Sequence, residues 1–292
     1  MPFVACGCFC GARELELLFF NRRLWVKLKD QPAIRPDVRD IANNSEDSNS
    51  IANTEDSAEA AKVVNADLLS DCPGWRRLRR TFPNAPLGEL ARFTLGWPSA
   101  DAAIRNYHGY LLWRQGDGDA GSLAKARRTI PVEWLSRGGK AKDGSDVLFL
   151  QVARTDCNIA PEMYFKALCS FLDELLPRED SSDFKRITVV MDTRGGEGWL
   201  NPPATHLLPL LRVCTRLLPP NYPGSLQRIV IYPVPVALKF FVSLCLALID
   251  PNTRSRCVLI SEKQEGGVEK ALHEYISKES LPEHAWPRHI GL

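Results

Sequence analysis

From residue 86 onward apolar residues recur at helical spacing: Leu87, Leu90, Phe93 and Leu95, then Ala103, Ile104, Tyr107, Leu111 and Leu112, in steps of three and four. Gly96-Trp97-Pro98 interrupts the run, and Ser99 or Asp101 is placed to cap a second helix. Further on the period changes. Four short β-branched or apolar runs, VLFLQVAR (147–154), ITVVMD (187–192), RIVIYPV (228–234) and CVLIS (257–261), predict strands, several of them buried on both faces. Helical patterns at 161–176, 203–218, 235–249 and 267–277 alternate with them. This is the βαβ rhythm of a mostly parallel sheet covered by helices, so the fold class is α/β with a helical subdomain before it.

Upstream the pattern dissolves. Residues 30–66 are rich in Asn, Ser, Asp and Glu and nearly repeat themselves, IANNSEDS at 41–48 and IANTEDS at 51–57. Such a segment buries too little apolar surface to offset its ordering entropy and reads as a disordered acidic linker. Before it, residues 1–29 join the cluster Cys6, Cys8 and Cys10 to ELELLFFNRRLWVKLK, a candidate membrane-associating leader. The organisation expected is leader 1–29, linker 30–66, helical subdomain 67–135 and an α/β domain 136–292.

Composition narrows the function classes. With 45% hydrophobic residues among 292 the chain fills a sizeable core, and a formal net charge of +2 gives no reason to expect a nucleic-acid partner. Nine cysteines, an odd number without CxxC pairs, suit a reducing compartment. The first residues lack a signal-peptide pattern, and the longest apolar run, Val234 to Ile249, is interrupted by Pro235, Lys239 and Ser243 and falls short of a spanning helix. The expected location is cytoplasmic, with peripheral membrane association.

The order of several short signals resembles the CRAL-TRIO family of lipid-binding proteins. Leu90-x-Arg92-Phe93, a turn, Asp101-Ala102-Ala103 and Tyr110-Leu111-Leu112-Trp113-Arg114 are similar to the family's N-terminal helices, which end in Trp-Arg. VVMDTRGGEG, NYPGSLQRIVIYPVP, the apolar 235–249 segment, Asp250-Pro251-Asn252-Thr253, CVLIS and then Tyr275-Ile276 and Leu281-Pro282 follow the family's order from about 85 to 290. The resemblance implies a sheet floor and a movable lid helix enclosing one phospholipid or other hydrophobic small molecule. It also implies transient contact with a membrane, no cofactor beyond the bound lipid, and no enzymatic chemistry. In the family's phosphatidylinositol binders the Asp-Pro-x-Thr segment and a following basic residue help hold the headgroup, which makes Thr253 and Arg256 the headgroup candidates. At two places the chain departs from that pattern: Gly224 stands where an acidic residue often follows Tyr-Pro, and Gly96-Trp97-Pro98 replaces a basic pair.

For the lipid that the resemblance implies, magnitudes favour an enclosed pocket over a surface groove. Lifting a two-chain lipid from a bilayer exposes roughly 30 methylenes at about 0.8 kcal/mol each, so about 25 kcal/mol must be offset by apolar walls. Segment 235–249 is apolar nearly all round, as a core helix or a gate would be. The candidate lining is Leu207, Leu208, Leu211, Val213, Phe240, Phe241, Leu244 and Leu248. Cys6, Cys8 and Cys10, beside aromatic and basic residues, are candidate palmitoylation sites.

Other chemistry finds weaker support. The loop Asp192-Thr193-Arg194-Gly195-Gly196-Glu197-Gly198 follows a strand but lacks both the GK[ST] ending and the GxGxxG spacing of phosphate-cradling loops. None of the five histidines stands in a recognised nucleophile setting, and the cysteines lack zinc-ligand spacing. The arginine-rich helix face Trp75-Arg76-Arg77-Leu78-Arg79-Arg80 reads as solvated. An interaction module that docks a protein at a membrane through the same fold is the alternative reading.

Overall fold

The computed structural model describes residue 69 and residues 72–176, 185–195, 202–236, 242, 245–247, 249 and 251–286, all within the compact unit Asn53–Leu292. The leader and linker, with Cys6, Cys8 and Cys10, therefore lie outside the described residues, as do Phe240, Phe241, Leu244 and Leu248.

Three helices come first among the described residues. In α1 (Pro73–Thr81), Pro73 occupies the first turn, where a missing N–H costs nothing; Trp75 and Leu78, three apart, turn inward while Arg76, Arg77, Arg79 and Arg80 stay exposed. Helix α2 (Leu87–Gly96) ends at the glycine read above as a break. A side chain at Gly96 would place its Cβ 2.3 Å from Cβ of Pro223, so the turn holds only glycine without displacement. Helix α3 (Ala100–Gln115) is capped by Ser99, whose Oγ accepts the Ala102 amide at 3.2 Å. The other candidate cap, Asp101, instead pairs with Arg77 of α1 at 2.7 Å. Between the helices Glu89 is buried, and the hydroxyls of Tyr107 and Tyr110 each donate to its carboxylate at 2.9 Å.

Arg114, at the end of α3, fastens this bundle to the rest. Its guanidinium donates to Asp173 Oδ2 at 2.7 Å and to the Tyr222 hydroxyl at 2.9 Å, and it lies near the rings of Tyr110, Trp113 and Tyr222. Burial disfavours its charge most, but the hydrogen bond to Asp173 together with the electrostatic pull of Tyr222, Tyr110 and Asp173 outweighs this and holds the arginine above its usual range. The Trp-Arg and Tyr-Pro signals of the sequence thus meet in one interlock.

Among the described residues the sheet has five strands in chain order: β1 (Leu135–Lys140), β2 (Asp146–Gln151), β3 (Ile187–Asp192), β4 (Leu226–Val234) and β5 (Cys257–Ser261). β1 is antiparallel to β2 and the others are parallel, as the alternation of strands and helices predicts. Helix α4 (Ala120–Thr129), capped by Asp119, and α5 (Pro161–Leu175) pack together against one face. Helix α6 (Leu208–Asn221) joins β3 to β4, α7 (Pro251–Ser255) precedes β5, and α8 (Val268–His273) follows it.

Several boundaries differ from the sequence reading. Val152–Arg154 leaves the sheet as a 3-10 turn, the segment ahead of Leu208 is also 3-10, and the last helix covers only Val268–His273 of 267–277. β1 and α4 had no prediction. LSRGGK has no alternation because Gly138 and Gly139 lie against Ser280, where a Cβ on Gly138 would come within 2.5 Å of the Ser280 carbonyl oxygen. Tertiary contact, not propensity, makes that strand.

Candidate functional site

The two faces of the sheet are covered to different degrees. Alternation sends Val147, Phe149, Val190, Val230, Tyr232 and Ile260 to one face, each at 2% exposure or less. There they pack with Ala271, Leu272, Ile276, Leu281 and Trp286 from the last described segment. Arg194 clamps that segment in place by donating to the carbonyls of His284 (2.9 Å), Ala285 (2.7 Å) and Trp286 (3.1 Å). The buried carboxylate of Asp192 holds the arginine at 2.7 Å, and the Tyr232 hydroxyl donates to the same Ala285 carbonyl. The described part of the Asp192 loop is therefore a structural clamp.

The opposite face carries two apolar rows in register across four strands: Leu148, Val189, Ile229 and Cys257, then Leu150, Met191, Ile231 and Leu259. Leu148 is fully buried beneath α4 and α5. Leu150 and Val189 are half-buried against that core, whereas Met191, Ile229, Cys257 and Leu259 are half-buried outside any of the core clusters. Ile231 alone of the outer positions is 9% exposed. Coverage thins from β2 towards β5.

Helix α6 packs against α3 and α5 and carries two stripes. Leu210, Val213 and Leu217, at three and four residue steps, pack into the core with α5. Leu207, Leu208, Leu211 and Cys214 form the other, half-exposed stripe. Of the predicted lining residues on this element, Leu207, Leu208 and Leu211 thus lie together, while Val213 is buried at 7% exposure among core residues. Cys214 combines two properties: it retains accessible surface, yet burial pushes its thiol up to about 12. In segment 235–249, Val242, Cys245 and Leu246 are half-buried and Ile249 is buried, and burial likewise raises the Cys245 thiol. Arg254 ties α7 to the end of this segment through the carbonyls of Ala247 (3.1 Å) and Ile249 (3.0 Å).

The predicted headgroup residues flank Arg254, Thr253 within α7 and Arg256 just after it. Thr253 is half-buried, and its carbonyl accepts the Arg256 amide at 3.1 Å. The Arg256 guanidinium donates to the Leu226 carbonyl at the start of β4. The sequence reading did not single out Met191, Ile229, Cys257 and Leu259. These strands carry apolar residues on both faces, and the sequence does not tell a fully covered side chain from a half-covered one. Among the described residues no group of three or more His, Cys, Asp or Glu side chains is placed to hold a metal ion, and no helix is long and apolar enough to cross a membrane.

Comparison with known proteins supports this architecture. Residues 136–285 match the family model of the CRAL/TRIO domain, just over half of the chain. The match runs from β1 to Ala285, whose carbonyl Arg194 and Tyr232 hold, and so takes in both faces of the sheet. A search of curated proteins finds no match. Among solved structures, the crystal structure of Sfh5 is similar with a TM-score of 0.48 and 14% identity, covering 70% of this chain; the present chain spans 66% of that one. The chain belongs to the CRAL/TRIO domain family.

Proposed function

We propose that this protein carries or senses one lipid-like molecule, held on the thinly covered face of its sheet, without covalent chemistry. The CRAL/TRIO family consists of lipid-binding and transfer proteins that are generally not catalytic, which sets the class. The observation that carries the reading is the contrast between the two faces. On one, Val147, Phe149, Val190, Val230, Tyr232 and Ile260 are at 2% exposure or less and Val258, on the last strand, is half-buried; the other presents Met191, Ile229, Cys257 and Leu259 half-covered. A domain core closes both faces of a parallel sheet; an apolar floor left partly uncovered is what a hydrophobic ligand needs.

In this reading Leu207, Leu208 and Leu211 form one wall, and the 235–249 segment, with Phe240, Phe241, Leu244 and Leu248, is the lid that opens at a membrane. Val236, 49% exposed at the start of that segment, is an apolar contact for the membrane surface. Thr253 and Arg256 hold the polar end of the ligand, and Cys6, Cys8 and Cys10 attach the leader to the membrane through palmitate. The protein works in the cytoplasm.

Purified protein extracted with organic solvent, followed by mass spectrometry, tests the proposal. One stoichiometric lipid class is the expected result. A folded protein that carries no lipid and takes none from vesicles overturns it in favour of a protein-docking module.

A further inference from the structure

Helices α1 to α3 carry a charge that the rest of the chain does not. Between Pro73 and Gln115 stand seven arginines against two carboxylates, a surplus of five, whereas the whole chain is +2, which leaves −3 for everything outside them. Two of these arginines turn inward: Arg92 is buried, and Arg114 is held by Asp173. Glu89 is buried as well. The remaining five, Arg76, Arg77, Arg79, Arg80 and Arg105, are exposed, together with the second carboxylate, Asp101.

Helix packing gathers them on one surface. Arg76 and Arg80 are one turn apart on α1, opposite the inward Trp75 and Leu78, and Arg77 reaches Asp101 of α3 at 2.7 Å. Phe82, just past α1, meets the Tyr107 ring at 4.8 Å, so the two helices run alongside in the same direction. Asp101, Arg105, His108 and Leu112, at four, three and four residue steps, form one exposed stripe of α3 beside that arginine face. Leu112 is 59% exposed. Among the described residues Arg76, Arg79, Arg80 and Arg105 form no ion pair.

Like charges at three and four residue spacing cost a helix stability, and Arg76 with Arg79, Arg77 with Arg80, and Arg76 with Arg80 are such pairs. The helix dipole favours Arg79 and Arg80 in the last turn but not Arg76 and Arg77. The fold itself therefore gives no reason for the surplus, whereas an anionic partner does. No aromatic ring of these helices is exposed for a base to stack on, but a leucine is, which suits a lipid surface better than nucleic acid. We propose that this face of α1 and α3 docks on an anionic membrane, with Arg76, Arg77, Arg79, Arg80 and Arg105 at the headgroups and Leu112 at the acyl boundary. It uses none of the residues assigned to lipid uptake and does not require that the protein carry a lipid.

Co-sedimentation of the full chain with phosphatidylcholine vesicles, with or without phosphatidylserine, tests the face. Binding should require phosphatidylserine and fall as salt is raised. Each arginine near an anionic surface contributes about fivefold, so the triple variant Arg76→Gln, Arg80→Gln, Arg105→Gln should weaken binding roughly hundredfold. An equal loss of charge at exposed positions elsewhere, Lys125→Gln, Arg128→Gln, Lys142→Gln, should cost far less. Asp101→Asn removes the carboxylate of the face, releases Arg77 and should strengthen binding severalfold; the pair is exposed at 59% and 60%, so folding should be little affected. Absence of binding to phosphatidylserine vesicles, or equal losses in the two triple variants, overturns the face. Binding of duplex DNA but not of vesicles also overturns it and assigns the face to nucleic acid. A protein that co-purifies with lipid yet ignores these vesicles keeps the carrier reading and loses only the docking face.

Discussion

Ile229 and Val230 are neighbours on β4 with opposite fates, and substituting each by tryptophan separates a ligand floor from an ordinary core. Val230 is fully buried in the closed face, and Ile229 is half-buried facing the thinly covered end. Inserting a larger side chain into a filled core costs about 1–3 kcal/mol through displaced neighbours and strained rotamers. For a body of this size each kcal/mol lowers the melting temperature by about 2–4 °C, so Val230→Trp should lose about 2–12 °C. If Ile229 borders the proposed ligand space, Ile229→Trp enters it and the apolar area it covers offsets most of the strain, so its expected change is under about 1 kcal/mol. The same ring then occupies the volume proposed for the ligand. Uptake of a fluorescent lipid from vesicles should fall about tenfold or more with Ile229→Trp, while Val230→Trp takes up lipid in proportion to its folded fraction. Calorimetry and the vesicle assay on the same samples read both quantities. If Ile229→Trp destabilises as much as Val230→Trp and its folded fraction still binds lipid, the floor is ordinary core and the reasoning fails.

Other outcomes follow from the same structure. Arg114→Met leaves Asp173 and the Tyr222 hydroxyl without their cation; with Arg114 at 9% and Asp173 at 27% side-chain exposure, the loss should be about 3 kcal/mol in urea titration, and Arg114→Lys should recover only part of it. Cys214, pushed from 9.0 to about 12, has a thiolate fraction about a thousandfold lower than an ordinary cysteine, so maleimide should modify the exposed Cys157 long before it, as peptide mapping would show. Tyr107, Tyr222 and Tyr232 are all raised by burial above the ordinary 10.0. Their contribution to stability is complete below pH 10 and is lost as pH rises further, because the unfolded chain ionises first. Melting temperature should therefore hold steady to about pH 10 and fall beyond it, less steeply in Tyr232→Phe; an unchanged slope in that variant would rule out Tyr232 as a source.

Much of the architecture was legible in the order of residues. Runs of branched apolar residues placed β3 and β5 at their observed bounds, Ser99 announced the start of α3, and the glycine break at Gly96 falls where the chain must pass Pro223. These are local events, governed by side-chain shape, caps and backbone freedom, and a sequence carries them directly. What covers a side chain is not local. Ile229 and Val230 are both apolar strand residues, and only the packing of α5, α6 and the C-terminal segment leaves one half-covered and closes over the other. The same holds within α6, where Leu211 and Val213 were equivalent candidates until one stripe met α5.

Charges follow the same division. Trp113-Arg114 and Tyr222-Pro223 stood out as separate signals, but their meeting with Asp173 required the N-terminal helices to dock. Arg76 and Arg80 on α1 and Arg105 on α3 lie in separate segments, and nothing in their local sequence lays them on one surface. By itself the sequence determined which residues leave water and which local elements they form, since hydrophobicity and propensity belong to each segment. Only the tertiary structure decided what meets those residues there, whether protein, an open apolar floor or another charge, because strand register and helix docking bring together residues far apart in the chain.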